Sequence, residues 1–122
     1  MTKVLVVDDD KDLLEMVSLV LASYDMDVTP LEKCLEFPSY MESSRPDIVL
    51  MDIYLGECDG RKLCHQLKNS DVYSDIPVIL YSAGNITQSS VRESLADEFM
   101  DKPFDINHLV NRINTHISAR NS

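Results

Sequence analysis

The sequence predicts an α/β fold with a parallel sheet, and three observations predict it. Strand-like and helix-like stretches alternate five times along the 122 residues, one pair for about every 24. The strand-like stretches include continuous apolar runs, Val4–Val7, Ile48–Met51 and Pro77–Tyr81, the pattern of strands covered on both faces. Two of these runs stop on acids, Asp8-Asp9-Asp10 and Asp52, at the strand end where open α/β sheets keep their ligands.

The elements follow in order. After Val4–Val7 and its acids, Leu13, Leu14, Val17, Val20, Leu21 and Tyr24 recur at helical spacing, so a helix starts at about Lys11 or Asp12. A short strand around Met26–Thr29 comes next. A helix between Leu31 and Ser44 must accommodate Pro38, which fits its first turn and delays the start to about that residue. The Asp52 strand then breaks into the loop Ile53–Cys58. Asp59 is placed to cap a helix whose buried stripe is Leu63, Cys64 and Leu67. Asn69–Asp75 is a polar connector to the strand Pro77–Tyr81, which ends on Ser82-Ala83-Gly84. Ile86, Val91 and Leu95 mark a weakly amphipathic helix ending near Asp97, and a brief strand around Phe99 and Met100 stops at Asp101-Lys102-Pro103. Asp105 caps the last helix, where Ile106, Leu109, Val110, Ile113 and Ile117 fall three and four residues apart.

One domain over residues 1–122 accounts for the length, with no linker or low-complexity stretch inside it. Right-handed crossovers leave a flavodoxin-like, doubly wound (βα)5 arrangement with strand order 2-1-3-4-5 as the natural topology. Its switch point lies between the first and third strands, the two that end on acids. Net charge is −10, which repels phosphate backbones and argues against direct nucleic-acid binding. No apolar run reaches the roughly 20 residues of a membrane span, and the start lacks a signal-peptide pattern, so a cytoplasmic protein is expected. The cysteines Cys34, Cys58 and Cys64 are odd in number and fit no paired framework; reduced thiols are expected, with Cys64 in the core. His65, His108 and His116 are likewise scattered, which favours surface or structural roles over metal binding.

Under this topology Asp8, Asp9 and Asp52 share one crevice, flanked by Ser82 and Lys102. Unit charges about 4 Å apart repel by roughly 4 kcal/mol at an effective dielectric near 20. Such a cluster invites a hard divalent cation with oxygen ligands, and an open, watery site suits Mg²⁺. A calcium loop starting at Asp8 fails, because Leu13 and Leu19 stand where Gly and Glu are needed. An aspartate-nucleophile phosphatase would need Thr where Asp12 stands.

Four segments in order, Val6-Val7-Asp8-Asp9, Leu50-Met51-Asp52 with Gly60 eight residues on, Ser82-Ala83, and Lys102-Pro103-Phe104, carry a resemblance over essentially the whole chain. The chain resembles a response regulator receiver domain of two-component signalling. The resemblance implies that Asp52 is the phosphoacceptor and that Asp9, Asp52 and the main-chain carbonyl of Tyr54 ligate Mg²⁺, with Asp8 acting through a metal-bound water. It implies that Lys102 pairs with the phosphoryl oxygens and that Ser82 donates to one of them after transfer. Phe99, three residues before the lysine, would follow Ser82 inward and reshape the surface of the last helices and strand. Tyr54 and Gly84 would line the path of an attacking water, and the Lys102-Pro103 bond resembles one that is cis in the family.

The partners implied are a histidine kinase or phosphotransfer protein, and a downstream target or a fused output domain absent from this chain. Arg92, Glu93 and Arg112 are candidates for a phosphorylation-dependent homodimer face, with a solvated surface as the plainer alternative. The implied activity is acceptance and loss of the chain's own phosphoryl group, not turnover of a substrate. The alternatives are a Mg²⁺-dependent phosphohydrolase on the same crevice and a degenerate receiver that binds partners without phosphorylation. Four departures bear on surface shape and switching: Gly56 stands where the family usually has Pro, Pro38 disturbs the second helix, Leu95 stands where the family commonly has Gly, and Phe99 lacks the tyrosine hydroxyl many members carry. Local roles remain open for Ser82, as a hydrogen-bonder to its own backbone, and for Phe99, as plain core.

Overall fold

The computed structural model describes residues 1–84, 86–102 and 105–121. Its strands are β1 (Thr2–Val7), β2 (Met26–Leu31), β3 (Ile48–Asp52), β4 (Val78–Ser82) and β5 (Glu98–Asp101), and its helices are α1 (Lys11–Ser23), α2 (Phe37–Ser44), α3 (Gly60–Lys68), α4 (Gln88–Ser94) and α5 (Ile106–Arg120). All strand pairs are parallel and the order is β2-β1-β3-β4-β5, the topology expected from the alternation. The central β3 and β4 are buried along their whole length, which is why their sequences are continuous apolar runs with no polar face.

Side chains alternate between the two faces of the sheet. Val4, Val6, Ile48, Leu50, Ile79 and Tyr81 meet Leu14, Val17 and Leu21 of α1 and Leu109, Val110 and Ile113 of α5. Leu5, Val7, Val49, Met51, Val78 and Leu80 meet Phe37 and Met41 of α2 and Cys64 and Leu67 of α3. Continuing the first of these rows by two residues gives Asp8 after Val6 and Asp52 after Leu50, so both acids leave the sheet on the α1/α5 side.

Several helix ends follow the local chemistry read from the sequence. Asp59 accepts the Arg61 N–H and caps α3, and Asp105 accepts the Asn107 N–H and caps α5. Pro38 sits in the first turn of α2, where its missing N–H costs nothing. Three boundaries differ from expectation. The strand β2 runs on to Leu31 through Pro30, tolerated because β2 is an edge strand. A 3-10 turn, Cys34–Glu36, precedes α2. The helix α4 is shorter than its apolar spacing suggests: Ile86 lies ahead of it, and Leu95 is its left-handed cap at φ 66°. Leu95 thus takes the backbone conformation that Gly adopts most cheaply.

Candidate functional site

The register of the sheet assembles the site. Val7 pairs with Met51, so the next residues, Asp8 and Asp52, stand side by side, and Asp52 is itself opposite Tyr81 of β4. One oxygen from each of Asp8, Asp9 and Asp52 lies within 4.8 Å of the others. Asp8 and Asp52 are buried and Asp9 is exposed, so the cluster has a closed floor and a wet rim. Lys102, just past β5, sends its Nζ to 2.8 Å from Asp52 Oδ2 and 3.2 Å from Asp8 Oδ2. Its main-chain N–H is fixed by donating to the carbonyl of Ser82.

Each buried carboxylate finds its donors, as burial of charge demands. Asp8 Oδ1 accepts from the Asp10 N–H at 2.9 Å, and Asp8 Oδ2 accepts from the Tyr81 hydroxyl at 2.8 Å as well as from Lys102. Asp52 Oδ1 accepts from the Tyr54 N–H at 3.1 Å. Burial pushes the Asp52 carboxyl above the usual carboxylate range against the opposing pull of Lys102 and the Tyr54 N–H. Burial also works against the charged Lys102, but its bonds to Asp52 and its closeness to Asp8 outweigh this and hold its ammonium above the ordinary value. The phenol of Tyr81 is pushed far upward by burial and by the Asp8 carboxylate, so it stays a hydroxyl and a donor.

The loop after Asp52 is held by glycines. Gly60 opens α3 against the main chain at the end of β3: a β-carbon there would stand 2.3 Å from the Asp52 carbonyl oxygen. Gly56 adopts φ 75°, a left-handed turn that a Pro could not make. The Tyr54 ring, exposed at the mouth, lies against Gly84 and within 5.9 Å of the Arg61 guanidinium.

Of the residues singled out in the sequence, Asp8, Asp9, Asp52 and Lys102 converge directly. Ser82 is fully buried at the adjacent strand end, where its Oγ accepts the Gly84 N–H, the local role open to a serine in that position. Phe99 is half-buried against the α2/α3 side of the core and borders a groove with Ile86, Val91 and Asp101. Pro103 and Phe104, including the Lys102-Pro103 bond, lie outside the described residues. Arg112 is engaged within the chain, its Nε 2.8 Å from Glu98 Oε1, and His116 joins the same carboxylate at 2.7 Å.

The cysteine expectation needs correcting. Cys34 and Cys58 are joined in a disulfide, with Cα atoms 6.3 Å apart across a separation of 24 residues. The 3-10 turn after β2 and the loop after β3 both emerge at the carboxyl edge of the sheet, which brings the two sulfurs together; residue counting sees only an odd number. Cys64 is free and buried as expected, its thiol pushed up to about 12 by burial. Tyr81 was missed as a site residue. The available signal was a polar-tipped phenol in an otherwise aliphatic, fully covered strand, where its hydroxyl must find a partner.

The donor set fits a magnesium ion: among the described residues it offers carboxylate oxygens only, with Asp9 open to water at the rim and the Lys102 ammonium against the acids Asp8 and Asp52.

Comparison with known proteins agrees with this geometry. Residues 4–114 match the family model of the response regulator receiver domain. The DNA-binding response regulator MtrA of Mycobacterium tuberculosis is 32% identical over 117 residues, covering 94% of this chain and 50% of MtrA. The DNA-binding dual master transcriptional regulator RpaA of Synechocystis is 28% identical over 115 residues, covering 93% of this chain and 48% of RpaA. The chain thus spans about half the length of these curated relatives. The receiver domain of Francisella response regulator 1452 superposes with a TM-score of 0.88 at 26% identity, over 98% of both chains. With residues 4–114 matching the family model and its five parallel strands in the order β2-β1-β3-β4-β5, the chain belongs to the response regulator receiver domain family of two-component signalling.

Proposed function

We propose that this chain is a phospho-accepting switch in which Asp52 is the acceptor. The observation that carries the reading is the contact of Lys102 with Asp52 at 2.8 Å on the floor of the three-acid cluster. In the transfer, a carboxylate oxygen of Asp52 forms a bond to phosphorus. The P–N bond of a donor phosphohistidine, or the P–O bond of acetyl phosphate, breaks with its electron pair leaving on the imidazole or on acetate. Asp9, Asp52 and the Tyr54 carbonyl would hold Mg²⁺, with Asp8 reaching it through water. Bound there, the cation supplies neutralisation of charge on the transferring group.

The chain's own residues do the rest. Burial of Asp52 raises its ground-state energy as an anion, and the Tyr54 N–H orients it by holding Oδ1. Lys102 moves its ammonium from the carboxylates to the new phosphoryl oxygens, a charge-assisted contact of the strong kind. Ser82 turns its hydroxyl from the local loop to the phosphoryl group, and Phe99 moves with it, altering the α4–β5–α5 surface that a target or a fused output domain reads. The kinase or phosphotransfer partner, the phosphorylation-dependent homodimer, a cytoplasmic site of action and a single functional unit over 1–122 belong to the same proposal. Among the described residues no helix is long and apolar enough to cross a membrane. The strongly acidic surface supports an output through protein and not through direct nucleic-acid contact by this chain.

Intact mass after incubation with acetyl phosphate tests the reading. One added phosphoryl group that requires both Mg²⁺ and Asp52, and is absent in Asp52→Asn and in chelator, is the expected result. Metal binding without addition would overturn it in favour of a phosphorylation-independent interaction module, and steady phosphate release from small phosphoesters in favour of a phosphohydrolase.

A further inference from the structure

Beyond the acceptor, the acids and the lysine, one buried group touches the reacting centre without a part in it. The Tyr81 hydroxyl, on a side chain 1% exposed, donates to Asp8 Oδ2 at 2.8 Å, and the Lys102 Nζ stands 5.0 Å from the centre of its ring. We propose that Tyr81 is a positioning residue that keeps Asp8 satisfied as a buried anion, so that Lys102 is free to leave the carboxylates for the group transferred to Asp52. The inference rests on the phosphoacceptor reading above.

The argument starts from Asp8, which is fully buried. Its Oδ1 is occupied by the Asp10 N–H, and its Oδ2 is shared by two side-chain donors, Tyr81 and Lys102. Without the phenol, the departure of Lys102 would leave Oδ2 with neither of these two donors, a costly state for a buried charge. The lysine would then be held more firmly where it is. The phenol removes that penalty, because it sits on a core strand and does not move with Lys102. The face of the ring meanwhile offers the ammonium a favourable neighbour along its path.

A second consequence concerns the cation. The hydroxyl directs the positive end of its dipole at Asp8 and so lowers the pull of that carboxylate on a divalent ion. Tyr81 therefore trades metal affinity for freedom of the lysine. A residue that merely filled space would do neither.

Tyr81→Phe removes the hydroxyl and keeps the ring. Calorimetric titration with Mg²⁺ alone, in the absence of any phosphoryl donor, is expected to show binding tightened by about three- to tenfold. Incorporation from acetyl phosphate at saturating Mg²⁺ is expected to slow by about tenfold, with the half-saturating donor concentration little changed. Opposite movement of the two quantities separates positioning from damage to the fold, which weakens both together. A cycle with Asp8→Asn gives the second check: in that background the Tyr81→Phe change should have no further effect on Mg²⁺ affinity. Unchanged values in Tyr81→Phe, weakening of both, or additive effects in the cycle would overturn the proposal. If the parent chain takes up no phosphoryl group, the phosphoacceptor reading is what fails, and the Mg²⁺ titration still decides whether Tyr81 sets the charge that Asp8 presents to a cation.

Discussion

Gly60 approaches the main-chain carbonyl of Asp52 so closely that a β-carbon there would lie 2.3 Å from its oxygen and 3.1 Å from its carbon. The contact is backbone on backbone, so no flexible side chain can yield to relieve it. The helix α3 is therefore seated directly on the end of β3.

Gly60→Ala should accordingly destabilise the fold by about 2 kcal/mol, since a small-to-large change in a tight place outweighs the modest helix gain of Ala at a helix start. Thermal melting would show the loss. Phosphoryl incorporation should fall by more than the unfolded fraction explains, because relieving the clash moves Asp52. A melting temperature equal to the parent's would show that α3 can shift freely.

The disulfide makes a prediction that needs only a mass spectrometer. Alkylation under denaturing, non-reducing conditions should add a single label, at Cys64, and three labels after reduction. Closing a loop of this length restrains the unfolded chain by about 3 kcal/mol, so Cys34→Ser or reductant should lower the melting temperature by about 10 °C. Three labels without reductant would mean the pair is open in the isolated protein. In a reducing cytoplasm such a bond is the exception, so the same count on protein labelled inside cells reports which state acts there.

Glu98 joins β5 to α5 through Arg112 and His116. Burial disfavours its charge, but the bonds from His116 and Arg112 outweigh this and hold the carboxyl below the usual carboxylate range. A carboxyl with a lowered folded pKa contributes stability that is present above its unfolded value, near 4.5, and is lost as pH falls through the folded one. Glu98→Gln should thus cost about 1 kcal/mol at pH 7. In denaturant titrations across pH the difference from the parent should shrink to nothing in strong acid. A gap that persists there would assign the loss to packing instead of charge.

Much of this site was legible before any coordinate. A strand covered on both faces has to be apolar throughout, so the runs Val4–Val7 and Ile48–Met51 announce themselves, and the acids that end them are conspicuous because charge is expelled from such strands. Parallel connections are right-handed and short, which leaves few topologies and brings Asp8, Asp9 and Asp52 to one crevice with Lys102 beside them. The caps Asp59 and Asp105 were readable for a similar reason, since capping is decided within a few residues.

What only the tertiary structure decided are relationships between atoms far apart in the chain. Cys34 meets Cys58 because two loops emerge from the same edge of the sheet, and the phenol of Tyr81 reaches Asp8 across β3 because alternation puts both on the α1/α5 face. Neither is encoded in a spacing. The end of α4 at Leu95 and the passage of β2 through Pro30 likewise depend on neighbours: a left-handed cap and a strand proline are held or excluded by what packs beside them. Local chemistry and periodicity determine which elements form and where acids must gather. The distances over which a hydroxyl, an ammonium and a carboxylate divide a buried charge exist only once the sheet has closed.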